Sequence, residues 1–90
     1  MRVNFREYEW DDVNIEHIAQ HGVISQEVEE ASSNSPLIFR RNDRYLVYGQ
    51  SDSGRYLFIV VVLKKDKVAR VITARDMSKT EHKLYHKKRG

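Results

Sequence analysis

Ninety residues with no cysteine and a net charge of +3 make one small domain, residues 1–90, without disulfides, thiolate metal sites or a cysteine nucleophile. The longest apolar run, Tyr56 to Leu63 ("YLFIVVVL"), is too short to span a bilayer, and the first residues lack the apolar stretch of a signal peptide, so a cytoplasmic protein without a membrane partner is expected. Charge is uneven: Met1 to Ala31 carry a net −6 and Lys64 to Gly90 a net +7, a dipole whose basic side attracts polyanions.

The front of the chain reads as helical. Asp11 or Asp12 can cap a helix running to His21, and Gly22 supplies the left-handed residue that ends one. Ile15, Ile18 and Ala19 form its apolar stripe, with His17 and His21 on the far side. Ser25 is placed to cap a second helix over Gln26 to Ser32, with Glu27 in its first turn.

The period then changes. Leu37 to Arg41, Arg44 to Gln50, Arg55 to Leu63 and Val68 to Arg75 are rich in β-formers and separated by "ND", "SDSG" and "KKDK", which are turn compositions. Short connections predict an antiparallel meander of four strands, with Val3 to Glu9 as a fifth at the edge. "SKTE" (Ser78 to Glu81) is a capping box opening a terminal helix. Leu84 and Tyr85 are its apolar side, and Lys79, His82, Lys83 and His86 share the opposite side. The expected fold class is α+β: an antiparallel four- to five-stranded sheet with two N-terminal helices and a C-terminal helix. The strand Tyr56 to Leu63 is apolar on both faces, so both must be covered. Either the N-terminal segment and the terminal helix cover opposite faces, or a partner chain or second copy (a homodimer) covers one.

"YEWDD" leading into a helix that ends in "HG", followed by "GQSDSGRYLFIVVV", "RVITAR" and "SKTEHKLY", resembles the BrnT-type toxins, in the family's order from Phe5 to Tyr85. The resemblance implies a RelE-like fold and an endoribonuclease toxin of a type II toxin–antitoxin pair. It also implies inhibition by a small DNA-binding antitoxin, expected to be of ribbon-helix-helix type, and no cofactor. This sequence departs from the family's pattern at two places. Gln20 stands where many members have a basic residue, and His82 where arginine is common.

RNA cleavage by metal-independent transesterification needs a base for the 2′-hydroxyl, cations for the phosphorane and an acid for the leaving oxygen. Arg55 opens the central strand and Arg75 closes the last one, so in a meander the two are expected side by side at one rim, gripping phosphate. The competing reading for each arginine is a surface salt bridge, for instance with Asp52 or Asp76. Lys79, His82 and Lys83 would extend the rim as an RNA-binding track. His17 and His21 are the candidate acid and base, chiefly through the resemblance; they are otherwise exposed helix positions. A zinc site built from His17, His21, His82 and His86 lacks the HExxH signature, and no metal is expected. Trp10 is expected to pack under the first helix, and Tyr85 to be core rather than a base-stacking platform. The alternative function is a non-catalytic RNA- or protein-binding module of the same fold, which the departures at Gln20 and His82 favour.

Overall fold

Short turns join the last four strands. In the computed structural model, which describes Phe5 and residues 7–89 without the side chain of Arg89, these are β2 (Leu37–Arg41), β3 (Arg44–Gln50), β4 (Tyr56–Leu63) and β5 (Val68–Asp76). The first turn places Asn42 at φ 57°, a left-handed conformation asparagine tolerates. The second places Gly54 at φ 93°, and Ser51 Oγ accepts from the Arg55 amide at 3.1 Å across the loop. A single 3₁₀ turn, Lys65–Lys67, makes the third. Each neighbouring pair among the four is antiparallel, as the turn spacing predicts.

The fifth strand corrects the expectation of an all-antiparallel sheet. β1 (Glu7–Glu9) pairs with β5 in parallel, giving a mixed sheet in the order β1-β5-β4-β3-β2. The reason is connectivity: two helices, not a hairpin turn, separate β1 from the meander and carry the chain to the opposite edge. Val3, Asn4 and Arg6 of the predicted edge strand lie outside the described residues.

The first helix, α1 (Asp12–Ala19), is capped by Asp11, whose carboxylate accepts from Val13 N and Asn14 N at 3.0 and 3.1 Å. Asn14 returns the bond, its Oδ1 accepting from Asp11 N at 2.9 Å. At the other end Val23 N donates to Ile18 O and Gly22 N to Ala19 O, a Schellman closure with Gly22 at φ 70°. The helix is therefore shorter than predicted, with His21 in its closing turn.

Its buried edge also differs from the expected stripe. Ile18 is buried as predicted, but Ile15 is 43% exposed and Ala19 exposed, while Asn14 is buried. Asn14 Nδ2 donates to Glu9 O at 2.8 Å and Val71 O at 3.4 Å, a polar tie to β1 and β5 that turns the helix towards its 14/18 edge. The second helix, α2 (Ser25–Ser33), starts one residue early. Ile24 is the cap position, and the Glu27 carboxylate accepts its amide at 3.1 Å; Ser25 lies inside the helix.

The last helix, α3 (Lys79–Arg89), opens with the predicted box: Glu81 N donates to Ser78 Oγ at 3.2 Å and Ser78 N to Glu81 Oε1 at 2.8 Å. It lies on the opposite face from the first two helices. Ile18, Val23, Val28 and Ala31 pack on Val47, Leu57, Ile59, Val61 and Val71, whereas Tyr85 and Leu84 pack with Tyr48, Met77, Tyr56 and Phe58. Both faces of β4 thus receive cover from within the chain. Contact is closest at Gly49, where an added Cβ would collide with the Ala31 carbonyl of α2.

Candidate active site

Arg55 stands just before β4 and points to the face that carries α1 and α2. Its Nε donates to Asp76 Oδ1 at 2.7 Å and Nη2 to Asp76 Oδ2 at 3.1 Å. Nη1 reaches Gly22 O at 2.6 Å and Glu27 at 3.2 Å, and Nη2 also reaches His21 O at 3.2 Å. A guanidinium has five N–H donors, and here they are spent on two carboxylates and two helix-terminal carbonyls. The carboxylates raise the Arg55 pKa, Asp76 most, and Arg55 holds the Asp76 carboxyl below its ordinary range with a smaller pull from His82.

Arg75, one residue before Asp76, points to the other face. It grips Glu81 with two parallel bonds, Nη1 to Oε1 at 2.8 Å and Nη2 to Oε2 at 2.9 Å, and its guanidinium lies 4.6 Å over the Phe58 ring. The pair raises the Arg75 pKa and lowers that of Glu81, which the Ser78 amide reinforces. The two arginines are therefore not side by side, as the meander alone predicts. The register sets Leu57 opposite Asp76 and Phe58 opposite Arg75, so strand alternation sends Arg55 and Arg75 to opposite faces at one end of the sheet. The salt-bridge reading with Asp76 describes Arg55.

Beside Arg75 the first turns of α3 bring Lys79, His82, Lys83 and His86 onto one helix face. The His82 ring lies 4.7 Å from Tyr56 and that of His86 5.2 Å from it; the two imidazoles are stacked with centroids 5.9 Å apart. Lys79 and Lys83 are exposed and form no ion pair or hydrogen bond among the described residues. This grouping joins two histidines and two uncommitted cations.

His17 and His21 form a second pair, rings 5.9 Å apart and edge to face, on the exposed side of α1 and its closing turn. Only the His21 backbone touches Arg55. Sequence reasoning missed Tyr56 as a platform and Glu27 and Glu81 as arginine partners. The signal for Tyr56 is alternation: as the neighbour of Arg55 in an extended strand, it must face the other way. Trp10 packs partly against the α1/α2 core and donates Nε1–H to Glu29 Oε2 at 2.8 Å. Among the described residues, no three His, Asp or Glu side chains converge on a metal position, and no helix is long and apolar enough to cross a membrane.

The crystal structure of the Brucella abortus ribonuclease toxin BrnT resembles this fold with a TM-score of 0.65, at 21% sequence identity, over 81% of this chain and 97% of that one. A search of curated proteins finds no match. The family model described as "Ribonuclease toxin, BrnT, of type II toxin-antitoxin system" matches residues 10–81, from Trp10 to the Glu81 that holds Arg75. The chain belongs to the BrnT family of ribonuclease toxins of type II toxin–antitoxin systems.

Proposed function

We propose that the chain is an endoribonuclease that cleaves RNA by metal-independent transesterification, with the reacting phosphate seated on the outer face of α3. The 2′-hydroxyl gives its proton to a neutral imidazole and attacks phosphorus. The bond from phosphorus to the 5′-oxygen breaks, and a protonated imidazole supplies the proton to that leaving oxygen. The products are a 2′,3′-cyclic phosphate and a 5′-hydroxyl end. His82 and His86 take the two proton roles, since imidazole gives and accepts protons near neutrality. Lys79 and Lys83 offset the charge of the phosphorane. Arg75 stands at the base of the helix, paired with Glu81, and like Arg55 must release a carboxylate before it can hold phosphate.

The observation that carries this reading is the stacked His82–His86 pair on Tyr56, with two unpaired lysines on the same helix face. A second reading places the proton transfers on His17 and His21, favoured by their exposure and by the contact of the His21 carbonyl with Arg55. That reading requires Arg55 to release a present partner before it can hold phosphate.

Cleavage of RNA by the purified protein in chelator separates the readings. The double variant H82A/H86A is expected to lose about 10²- to 10⁴-fold in rate, and H17A/H21A to keep the wild-type rate. The opposite pattern moves the site to α1. RNA that stays intact at high protein concentration, bound in a salt-dependent manner, makes the chain the non-catalytic binding module. The protein partner is proposed to be a small antitoxin of ribbon-helix-helix type.

A further inference from the structure

Among the described residues, the sheet face that carries α3 is roofed only in part. Leu37, Tyr48, Phe58 and Arg75 stand in register as one row across it, and Phe39, Leu46, Val60 and Thr73 as the next. Leu37, Tyr48 and Phe58 of the first row pack with Tyr85 and Leu84, and Leu46 of the second packs at the edge of the same cluster. In the second, Phe39 is 36% exposed, Leu46 half-buried and Val60 buried, and Val62 beyond it is half-buried. Two cations flank this strip, Arg41 and Arg44, which are register partners. Arg41 has no ion pair or hydrogen bond among the described residues, and Arg44 meets only the adjacent Asp43, at 4.0 Å.

We infer that this strip is the docking surface for an acidic amphipathic helix of the antitoxin, a partner that follows from the toxin–antitoxin family reading. The strip crosses four strands, about 15 Å, the length of a helix of roughly three turns. Such a helix laid beside α3 completes the layer that α3 begins. Its apolar side covers Phe39, Leu46 and Val62, and carboxylates at its margin meet the guanidinium groups of Arg41 and Arg44, which favour planar two-pronged contacts. Only Phe39 could stack on a base; Leu46 and Val62 offer RNA no stacking plane and no hydrogen bond, so the strip as a whole suits an apolar helix face better.

The test measures affinity between the full chain and the antitoxin of its toxin–antitoxin pair, for wild type, R41E/R44E and F39E, with RNA cleavage measured on the same preparations. Both changed arginines are exposed, so the double variant keeps its fold, and far-ultraviolet circular dichroism checks this. Antitoxin binding is expected to weaken on the order of 100-fold in R41E/R44E, with RNA cleavage at the wild-type rate. Wild-type affinity in both variants overturns the proposal, as does the lack of antitoxin binding by the wild-type chain. So does loss of RNA binding with antitoxin affinity intact, which assigns the strip to RNA. A free chain that sediments as a dimer, and that F39E makes monomeric without touching antitoxin affinity, assigns it to a second copy. If the wild type cleaves no RNA and R41E/R44E still releases the antitoxin, the ribonuclease reading falls and the docking surface stands.

Discussion

Arg55 and Asp76 form a two-pronged ion pair that fastens the entry of β4 to the exit of β5, with bonds of 2.7 and 3.1 Å. Because the same guanidinium also binds the carbonyls of His21 and Gly22 and the carboxylate of Glu27, one side chain joins two strands to the end of α1 and the first turn of α2. Its geometry is that of a staple. It holds His21, in the closing turn after α1, by its backbone carbonyl.

Replacing Arg55 by lysine keeps the charge and loses the fork. Three donors on one nitrogen cannot serve two carboxylates and two carbonyls spread around a plane. R55K is expected to lose about 2 kcal/mol of stability, read as a lower urea midpoint at neutral pH. A midpoint equal to wild type would show that the network is dispensable.

Glu81 gives the fold an acid-sensitive joint. Its folded pKa is lowered, first by Arg75, so it contributes stability that is present above its unfolded pKa and lost as pH falls through the folded value. Melting temperature should fall between about pH 5 and pH 3. In E81Q it should be lower at neutral pH and change less across that window. Asp76, lowered chiefly by Arg55, adds to the wild-type slope in the same direction and leaves a residual slope in the variant.

Gly49 lies where α2 touches β3, and a methyl group there meets the backbone of Ala31, which cannot rotate away. G49A should destabilise by about 1–3 kcal/mol, measured by thermal or urea unfolding. A neutral result would mean that α2 can lift from the sheet without loss.

Lys79 and Lys83 are expected to bind RNA through phosphate alone. For single-stranded RNA, K79A/K83A should flatten the plot of log affinity against log salt by about 1.4, or 0.7 for each lost contact. An unchanged slope would place the RNA track elsewhere on the molecule.

Where local chemistry decides, the sequence was a sound guide. Turn residues marked the meander, Asp11 and the Ser78–Glu81 box marked two helix starts, and Gly22 marked a helix end. Distant partners decided the rest. Asn14 reads as a surface residue because the carbonyls that bury it, on Glu9 and Val71, belong to strands whose approach no local pattern records. Arg55 and Arg75 fail to meet because a one-residue difference in register exchanges the faces of a strand. The direction of β1 depended on the route of the whole chain between it and β2. Of the candidate site, the α3 face of Lys79, His82, Lys83 and His86 was legible from helical spacing, but its seat on Tyr56 was not.

The parallel pairing of β1 has a kinetic consequence. Glu7 must find Val68 across about two thirds of the chain, whereas β2 to β5 meet their neighbours over short loops. Closing the longer loop costs more entropy before any contact rewards it. The meander is thus placed to form early and β1 to dock last, with Asn14 as the latch between β1, α1 and β5. During synthesis the acidic front of the chain leaves the ribosome before the strand that receives it, so this edge of the toxin closes only once translation has passed β5.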